Sequence, residues 1–361
     1  MPPRRRWLSR ILLLGTAGFI LPTFAWADAK PLTVAVATAD RTHLVWSAAE
    51  KWQAGLSQIS YPLSLSASGD GMAAADADIA IVPVQVFTQQ VPAIGVLGLP
   101  FLFSDLRAVH GALDGRLGEA LQQEAEQAGW HLLAIWDEGM QSLSGNQPYN
   151  RVQNLAGIEF AVLRPDTIEE KTFQTLDAWS HNVRPNSLAH MAQECLVNSR
   201  SATLQEMWRE NLHRVHLNLT LTRHRYEGWV VAIPGDKWKR LPLATRRALS
   251  ASLRKITPWE REESAQREAE ALKKLKDAGL ETMELSVNER GAMRARLAPL
   301  ERLLPDSLSP SLRRRLVALA TGGSAGAGLD GAGKPLLKAQ PGAPRSQSGN
   351  QVGGAGDEGR R

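Results

Sequence analysis

Asn154-Leu-Ala-Gly-Ile-Glu-Phe-Ala-Val162 reads as a turn followed by a strand. Gly157 supplies the backbone freedom of a tight turn, and the apolar run over residues 158–163 has the length and composition of a short, well-buried strand. On the downstream side, residues 166–176 carry a helical pattern and residues 179–184 an extended one. Residues 187–197 then form a further helix, with Ser187 as its N-cap. Strand, helix, strand and helix in succession is the grammar of an α/β fold, in which ligands gather at the carboxyl ends of strands.

The same alternation holds towards the N-terminus. Leu32-Thr-Val-Ala-Val-Ala37 reads as a strand, and Leu44, Val45, Ala48, Ala49, Trp52 and Leu56 follow at helical spacing. Residues 61–68 and 78–83 are strands, 106–128 a single helix rich in Leu, Ala, Glu and Gln, and 130–136 another strand. Towards the C-terminus, residues 217–222 alternate apolar and polar side chains, residues 229–233 form a separate apolar strand, and Pro234-Gly235 marks a turn. A long charged helix is expected from Pro242 to about Lys276, ended by Gly279, with a last helix over residues 288–303.

Both ends of the chain differ from its middle. Arg4, Arg5, Arg6 and Arg10 precede an apolar run from Ile11 to Ile20 and a small-residue site at Ala25-Trp26-Ala27, the arrangement of a secretory signal peptide over residues 1–27. The apolar run is too short for the roughly 20 residues that span a bilayer. Residues 321–361 are rich in Gly, Ser, Ala and Pro without apolar periodicity and are expected to be disordered. These ends carry the excess of the formal +5 charge and leave residues 28–320 at about −1, which removes the argument for nucleic-acid binding. The single cysteine, Cys195, excludes an intrachain disulfide and reads as a buried thiol.

No catalytic constellation emerges. His213, His216 and His224 lack the accompanying Cys or carboxylates of a zinc site, and Gly69-Asp-Gly71 is a turn rather than a phosphate loop. Adjacent Asp137 and Glu138 on a strand point to opposite faces, which spoils them as an acid/base pair unless the fold brings other carboxylates near. A nucleophile elbow is missing. A non-enzyme with no cofactor and no metal is therefore expected.

Six segments, in order, span most of residues 31–290: Leu97-Gly-Leu-Pro-Phe-Leu-Phe-Ser-Asp105, Leu113-Asp-Gly-Arg-Leu-Gly118, Trp136-Asp-Glu-Gly139, Asn154-Leu-Ala-Gly157, Leu219-Thr-Leu-Thr222 and Ala271-Leu-Lys-Lys-Leu-Lys276. Together they resemble the extracytoplasmic solute-binding proteins of tripartite ATP-independent periplasmic (TRAP) transporters. The resemblance implies a bilobal α/β clamp with two mixed sheets, crossing strands and a long C-terminal helix, which closes over a small organic solute and delivers it to membrane permease subunits. It also implies lobe I over residues 28–148, lobe II with crossover strands mainly over 149–240, and the long and C-terminal helices over 241–320.

The resemblance identifies candidate ligand positions, and this chain departs from the family at each. An arginine that forks onto the substrate carboxylate is expected where Ala161 stands, and a second arginine where Gln141 stands. An Asp-Gly-Gln-Glu-Asn-Pro loop is replaced by Asn198-Ser-Arg-Ser-Ala-Thr203, and residues 69–76 look shortened. Arg200 and Arg164 are the cations available as substitutes, although alternation points Arg164 away from the Ala161 face unless Pro165 has already ended the strand. Gln141 and Asn198 are amide candidates, and Phe101, Trp208, Tyr226 and Trp229 are aromatic walls or core. On this reading Ala161→Arg creates carboxylate affinity if the cleft is otherwise intact. Two roles stay open: a periplasmic binding subunit that recognises its solute without the usual arginine pairing, and a ligand-degenerate clamp serving as a sensory or protein-interaction module.

Overall fold

A computed structural model describes residues 31–57, 61–68, 77–163, 167–183, 198–304 and 307–321. The signal region, residues 69–76, Arg164, the helix expected over 187–197 with Cys195, and the tail from residue 322 lie outside the described residues. The chain forms two compact units, each assembled from three segments.

The first unit comprises Met1–Val82, Trp130–Trp136 and Trp229–Glu263. β1 (Leu32–Val36) pairs in parallel with β2 (Leu63–Ala67) on one side and with β3 (Ile79–Pro83) on the other, in the registers Leu32↔Leu63 and Val34↔Ile79. The continuous apolar runs of β1 and β3 are those of strands covered on both faces. α1 (Leu44–Ser57) buries Leu44, Val45, Ala48, Ala49, Trp52 and Leu56, the residues that its periodicity selected. The Trp52 indole N–H donates to Ser252 Oγ at 2.7 Å, and its ring meets Trp136 edge-on at 6.5 Å.

The second unit comprises Pro83–Gly129, Asp137–Gly228 and Ser264–Arg361. β5 (Glu159–Val162) is flanked in parallel by β6 (Trp179–Asn182) and β7 (Ser199–Ala202), and β7 runs antiparallel to β4 (Trp130–Gly145). β8 (Asn218–Pro234) pairs with β9 (Glu281–Glu284). Alternation along β5 sends Phe160 and Val162 into a cluster with Tyr149, Phe173, Met293 and Leu297, and Ala161 into an opposite cluster with Ala202, Leu204, Met207 and Leu275. Phe160 and Phe173 stack at 4.2 Å.

Two long strands, β4 and β8, and the 35-residue helix α8 (Leu243–Asp277) contribute to both units. The helix ends as expected: Gly279 takes φ +98°, a conformation that side chains other than glycine rarely adopt. The remaining helices are α2 (Val84–Phe87), α3 (Leu106–Leu113), α4 (Arg116–Gln127), α5 (Thr167–Thr175), α6 (Leu204–Arg209), α7 (Gly235–Arg240), α9 (Val287–Leu297) and α10 (Pro310–Ala320).

Four expectations are corrected. The helix over 106–128 is broken at Asp114-Gly115, and the chain is packed so tightly at the break that a Cβ at Gly118 would fall 1.9 Å from the Leu113 carbonyl oxygen. The two strands over 217–222 and 229–233 are one, β8: of the charged residues between them Arg225 and Glu227 are buried and paired, and half-buried Arg223 pairs with Glu284. Residues 199–202, expected as a loop, are strand β7, and Thr203 starts α6 with a capping box to Glu206. The last expected helix ends at Leu297 and continues as a 3-10 turn containing Pro299, with α10 following.

Candidate functional site

Within the second unit, β4, β7 and β8 bring an unusual density of polar side chains into the interior. Gln141, Ser201, Arg200, His224, Arg225 and Glu227 are each no more than 8% exposed. Their polar groups must be met internally, since an unmatched buried charge costs several kcal/mol.

Arg200 is the centre of this set. Its Nε donates to Glu210 Oε2 at 3.3 Å, its Nη1 lies 3.9 Å from Glu169 Oε1, and Nη1 also donates to the Ser201 carbonyl. Burial works against the guanidinium charge, but Glu210, Glu206 and Glu169 together more than offset it and hold the group above the usual arginine range. For Glu210, burial outweighs Arg200 and, with repulsion from Glu206, raises the carboxyl pKa. Arg225 pairs with the other oxygen of Glu169 at 3.5 Å. Gly98 makes room for Arg225, because a Cβ there would stand 3.3 Å from Nη2.

Gln141, Ser201 and His224 form a neutral arm of the network. Ser201 Oγ donates to Gln141 Oε1 at 2.9 Å and lies 3.3 Å from His224 Nε2, while His224 Nδ1 lies 2.8 Å from Thr222 Oγ1. Burial, then Arg225 and Arg290, depress the His224 pKa to about 3 against the opposing effect of a hydrogen bond to the Gln141 backbone. His216, 2.9 Å from Ser144 Oγ, is depressed to about 4 by burial and by Arg200.

The folded state therefore binds fewer protons at these two histidines than the unfolded chain does, so their contribution to stability is complete above the unfolded pKa of about 6.5. It is lost as pH falls towards the folded values, by about 1.4 kcal/mol per pH unit for each histidine. Denaturation midpoints are expected to correspond to roughly 2 to 4 kcal/mol less stability at pH 5 than at pH 7. His224→Gln should remove about half of that slope; an unchanged slope in this variant would exclude His224 as its source.

A small cavity of about 30 Å³ opens among these groups, lined by Gln85, Gln141, Leu163, Glu169, Arg200, Glu206 and Glu227. Gln85, in α2, donates to Glu227 Oε1 at 3.1 Å, and Glu206 accepts from the Thr203 backbone at 3.0 Å. One guanidinium and three carboxylates give the lining a formal charge of −2. Its volume is about that of one water molecule.

Gln141 and Arg200 thus come together at the cavity. Ala161 does not: it is fully buried in an apolar cluster. It is also in register with Arg200 on the neighbouring parallel strand, so the two side chains emerge on the same face. Asn198 precedes β7 and binds Glu159 O through its backbone N–H, away from the cavity. Trp208 stacks on His213 at 4.6 Å with Lys274 over its ring. Tyr226 donates to Asp137 Oδ1 at 2.9 Å, and His110 holds the second oxygen at 2.5 Å. Glu138, on the other face of β4, pairs with Arg209 at 2.9 Å. Trp229, in the first unit, meets His43 edge-on. Phe101 lines a separate groove with φ +54°, a strained conformation costing about 1 to 3 kcal/mol, while its N–H donates to the His224 carbonyl.

Sequence reasoning missed Gln85, Glu169, Glu206, Glu227 and Arg225. Only Glu206 carried a local signature, the Thr203-x-x-Glu206 capping box. Among the described residues, no group of three or more His, Cys, Asp or Glu could hold a metal ion, and no helix is long and apolar enough to cross a membrane.

Comparison with known proteins fits this picture. A family model described as bacterial extracellular solute-binding protein, family 7 (DctP), matches residues 68–303. The C4-dicarboxylate-binding protein DctB of Bacillus subtilis is 28% identical over 230 residues, covering 63% of this chain and 65% of that protein. The C4-dicarboxylate-binding periplasmic protein DctP of Rhodobacter capsulatus is 26% identical over 205 residues, covering 56% of this chain and 61% of that protein. The matches thus span just under two thirds of either relative's length. The crystal structure of a TRAP periplasmic solute-binding protein from Shewanella oneidensis with bound succinate superposes with a TM-score of 0.70 at 19% identity, over 81% of this chain and 100% of that one. At that identity the likeness is one of fold.

Proposed function

We infer the role of this protein from one premise: the chain belongs to the bacterial extracellular solute-binding proteins of family 7, which are not enzymes. It captures a small organic solute outside the cytoplasmic membrane and delivers it to the permease subunits of a TRAP transporter. Family members are periplasmic binding proteins, and the basic and apolar pattern of residues 1–27 supports export of this one. The sensory alternative is not favoured by these relationships.

The observation that carries this reading is the convergence of Gln141, Arg200, Gln85 and Glu227 on one buried cavity. Small organic acids are named for relatives of this chain, such as the succinate-bound protein of Shewanella oneidensis. Here a second negative charge would enter a lining that already carries −2. The solute that suits it is an organic acid which also bears hydroxyl or ammonium donors: Arg200 meets the carboxylate, and Glu227, Glu206 and the two glutamines meet the donors. Its uptake enlarges the cavity by moving these side chains, since several carbon atoms exceed the volume of one water.

Succinate, malate and aspartate test this directly, because they differ only by a hydroxyl or an ammonium group. Malate or aspartate is expected to raise the melting temperature of the purified protein, at about 100 times Kd contributing about 2.7 kcal/mol. Succinate should bind about tenfold more weakly or worse, and Glu227→Gln should erase most of that difference. An equal or larger shift with succinate would reject this choice of solute, and no shift with any organic acid would reject the carrier role.

A further inference from the structure

We propose that this protein has a second ligand site, an arginine-lined apolar groove that binds an amphipathic organic anion such as a medium-chain or aromatic monocarboxylate. The groove encloses about 740 Å³ in the second unit, with Phe101, Phe103 and Leu319 on its floor and Arg116, Arg290 and Arg294 around it. Its lining shares no residue with the small cavity and contains no acidic side chain. The two sites are opposite in chemistry, one rich in carboxylates and the other purely cationic.

The volume lies within the range of small-molecule pockets, which are mostly apolar with a few placed polar groups. The arginines are those groups. Among the described residues none of the three forms an ion pair within 4.0 Å, so no described carboxylate occupies their forks. Arg290 is the most constrained: its guanidinium stands 5.8 Å from the centre of the Phe101 ring, and burial together with repulsion from Arg223 lowers its pKa, with Glu284 opposing only in part. An anion beside Arg290 offsets the repulsion from Arg223 and gains charge-assisted hydrogen bonds from the groove arginines.

The floor is also held against local preference. Phe101 keeps a left-handed backbone that an aromatic residue seldom adopts, so its position depends on surrounding contacts, including its N–H bond to the His224 carbonyl. Val287, 86% exposed at the rim, extends the apolar surface outward. The chain's own continuation is a poor occupant. Thr321 lines the groove, but the residues beyond it carry five basic side chains against three acidic ones and offer no net charge complement.

Calorimetric titration of the full exported chain with octanoate tests the proposal, with octanol as the uncharged analogue and Arg290→Ala/Arg294→Ala as the altered groove. Octanoate is expected to bind saturably, and the double variant and the alcohol should each bind about tenfold more weakly or less. Because Arg294 is exposed and Arg290 half-exposed, the variant should keep its melting temperature, so lost binding is not lost folding. Gln141→Ala, altering the other cavity, should leave octanoate affinity unchanged. The proposal is overturned if octanoate shows no saturable binding up to about 1 mM, if the double variant binds it equally well, or if Gln141→Ala abolishes its binding.

Discussion

Ala161→Arg is expected to unfold the protein rather than to endow it with affinity for carboxylates. Ala161 is fully buried among Ala202, Leu204, Met207 and Leu275, and in register with Arg200, whose guanidinium already occupies the interior on the same face. A second arginine there introduces a long side chain into a filled core and sets one buried cation beside another. The loss should be about 5 kcal/mol, comparable with the whole stability of a marginal domain. Urea denaturation measures it. A variant with an unchanged midpoint and new affinity for succinate would show that the alanine faces the ligand after all.

Arg200→Ala is the second large effect. The guanidinium is the shared partner of Glu210 and Glu169, and removing it leaves buried Glu169 and partly buried Glu210, beside Glu206, without their shared counter-charge. Breaking such a pair from one side is expected to destabilise by about 3 to 5 kcal/mol, with the m-value unchanged. Arg200→Lys should lose less, since it keeps the charge but not the forked geometry. Arg200→Met with Glu210→Met should recover part of the loss, because both charges are then absent. If Arg200→Ala stays within about 1 kcal/mol of the parent protein, the network is not the source of stability described here.

Much of the architecture was legible because apolar periodicity survives in a single string. β1, β3, β5, α1 and α8 all lie where their side-chain patterns put them. The failures have physical causes. The Arg223-His-Arg-Tyr-Glu227 run has the composition of an exposed loop, yet it is the middle of a buried strand, because its partners arrive from α5, α2 and β4. Glu169 and Arg225 meet across 56 positions, and Gln85 and Glu227 across 142, so no local window contains either pair. The break at Asp114-Gly115 was missed because helix formers lie on both sides of it, and the close approach at Gly118 shows itself only in three dimensions.

The candidate site was half legible. Gln141 and Arg200 were named because the family resemblance pointed to their positions, while two of the three carboxylates that set the charge of the cavity came from helix starts that look like ordinary caps, and the third, Glu227, from the middle of β8. Glu169 lies in the first turn of α5 and Glu206 in that of α6, where acidic residues serve the helix end regardless of any ligand.

The pairing of Ala161 with Arg200 changes how the history of such a site is traced. Adjacent strands in a sheet lie about 4.8 Å apart, so a functional charge can migrate sideways by one strand while the backbone keeps its form. In the linear chain that same step is a jump of 39 positions. A comparison made column by column records a loss at one place and an unrelated gain at another. The descent of a binding site in a sheet is therefore better followed along its hydrogen-bonded rungs than along its sequence.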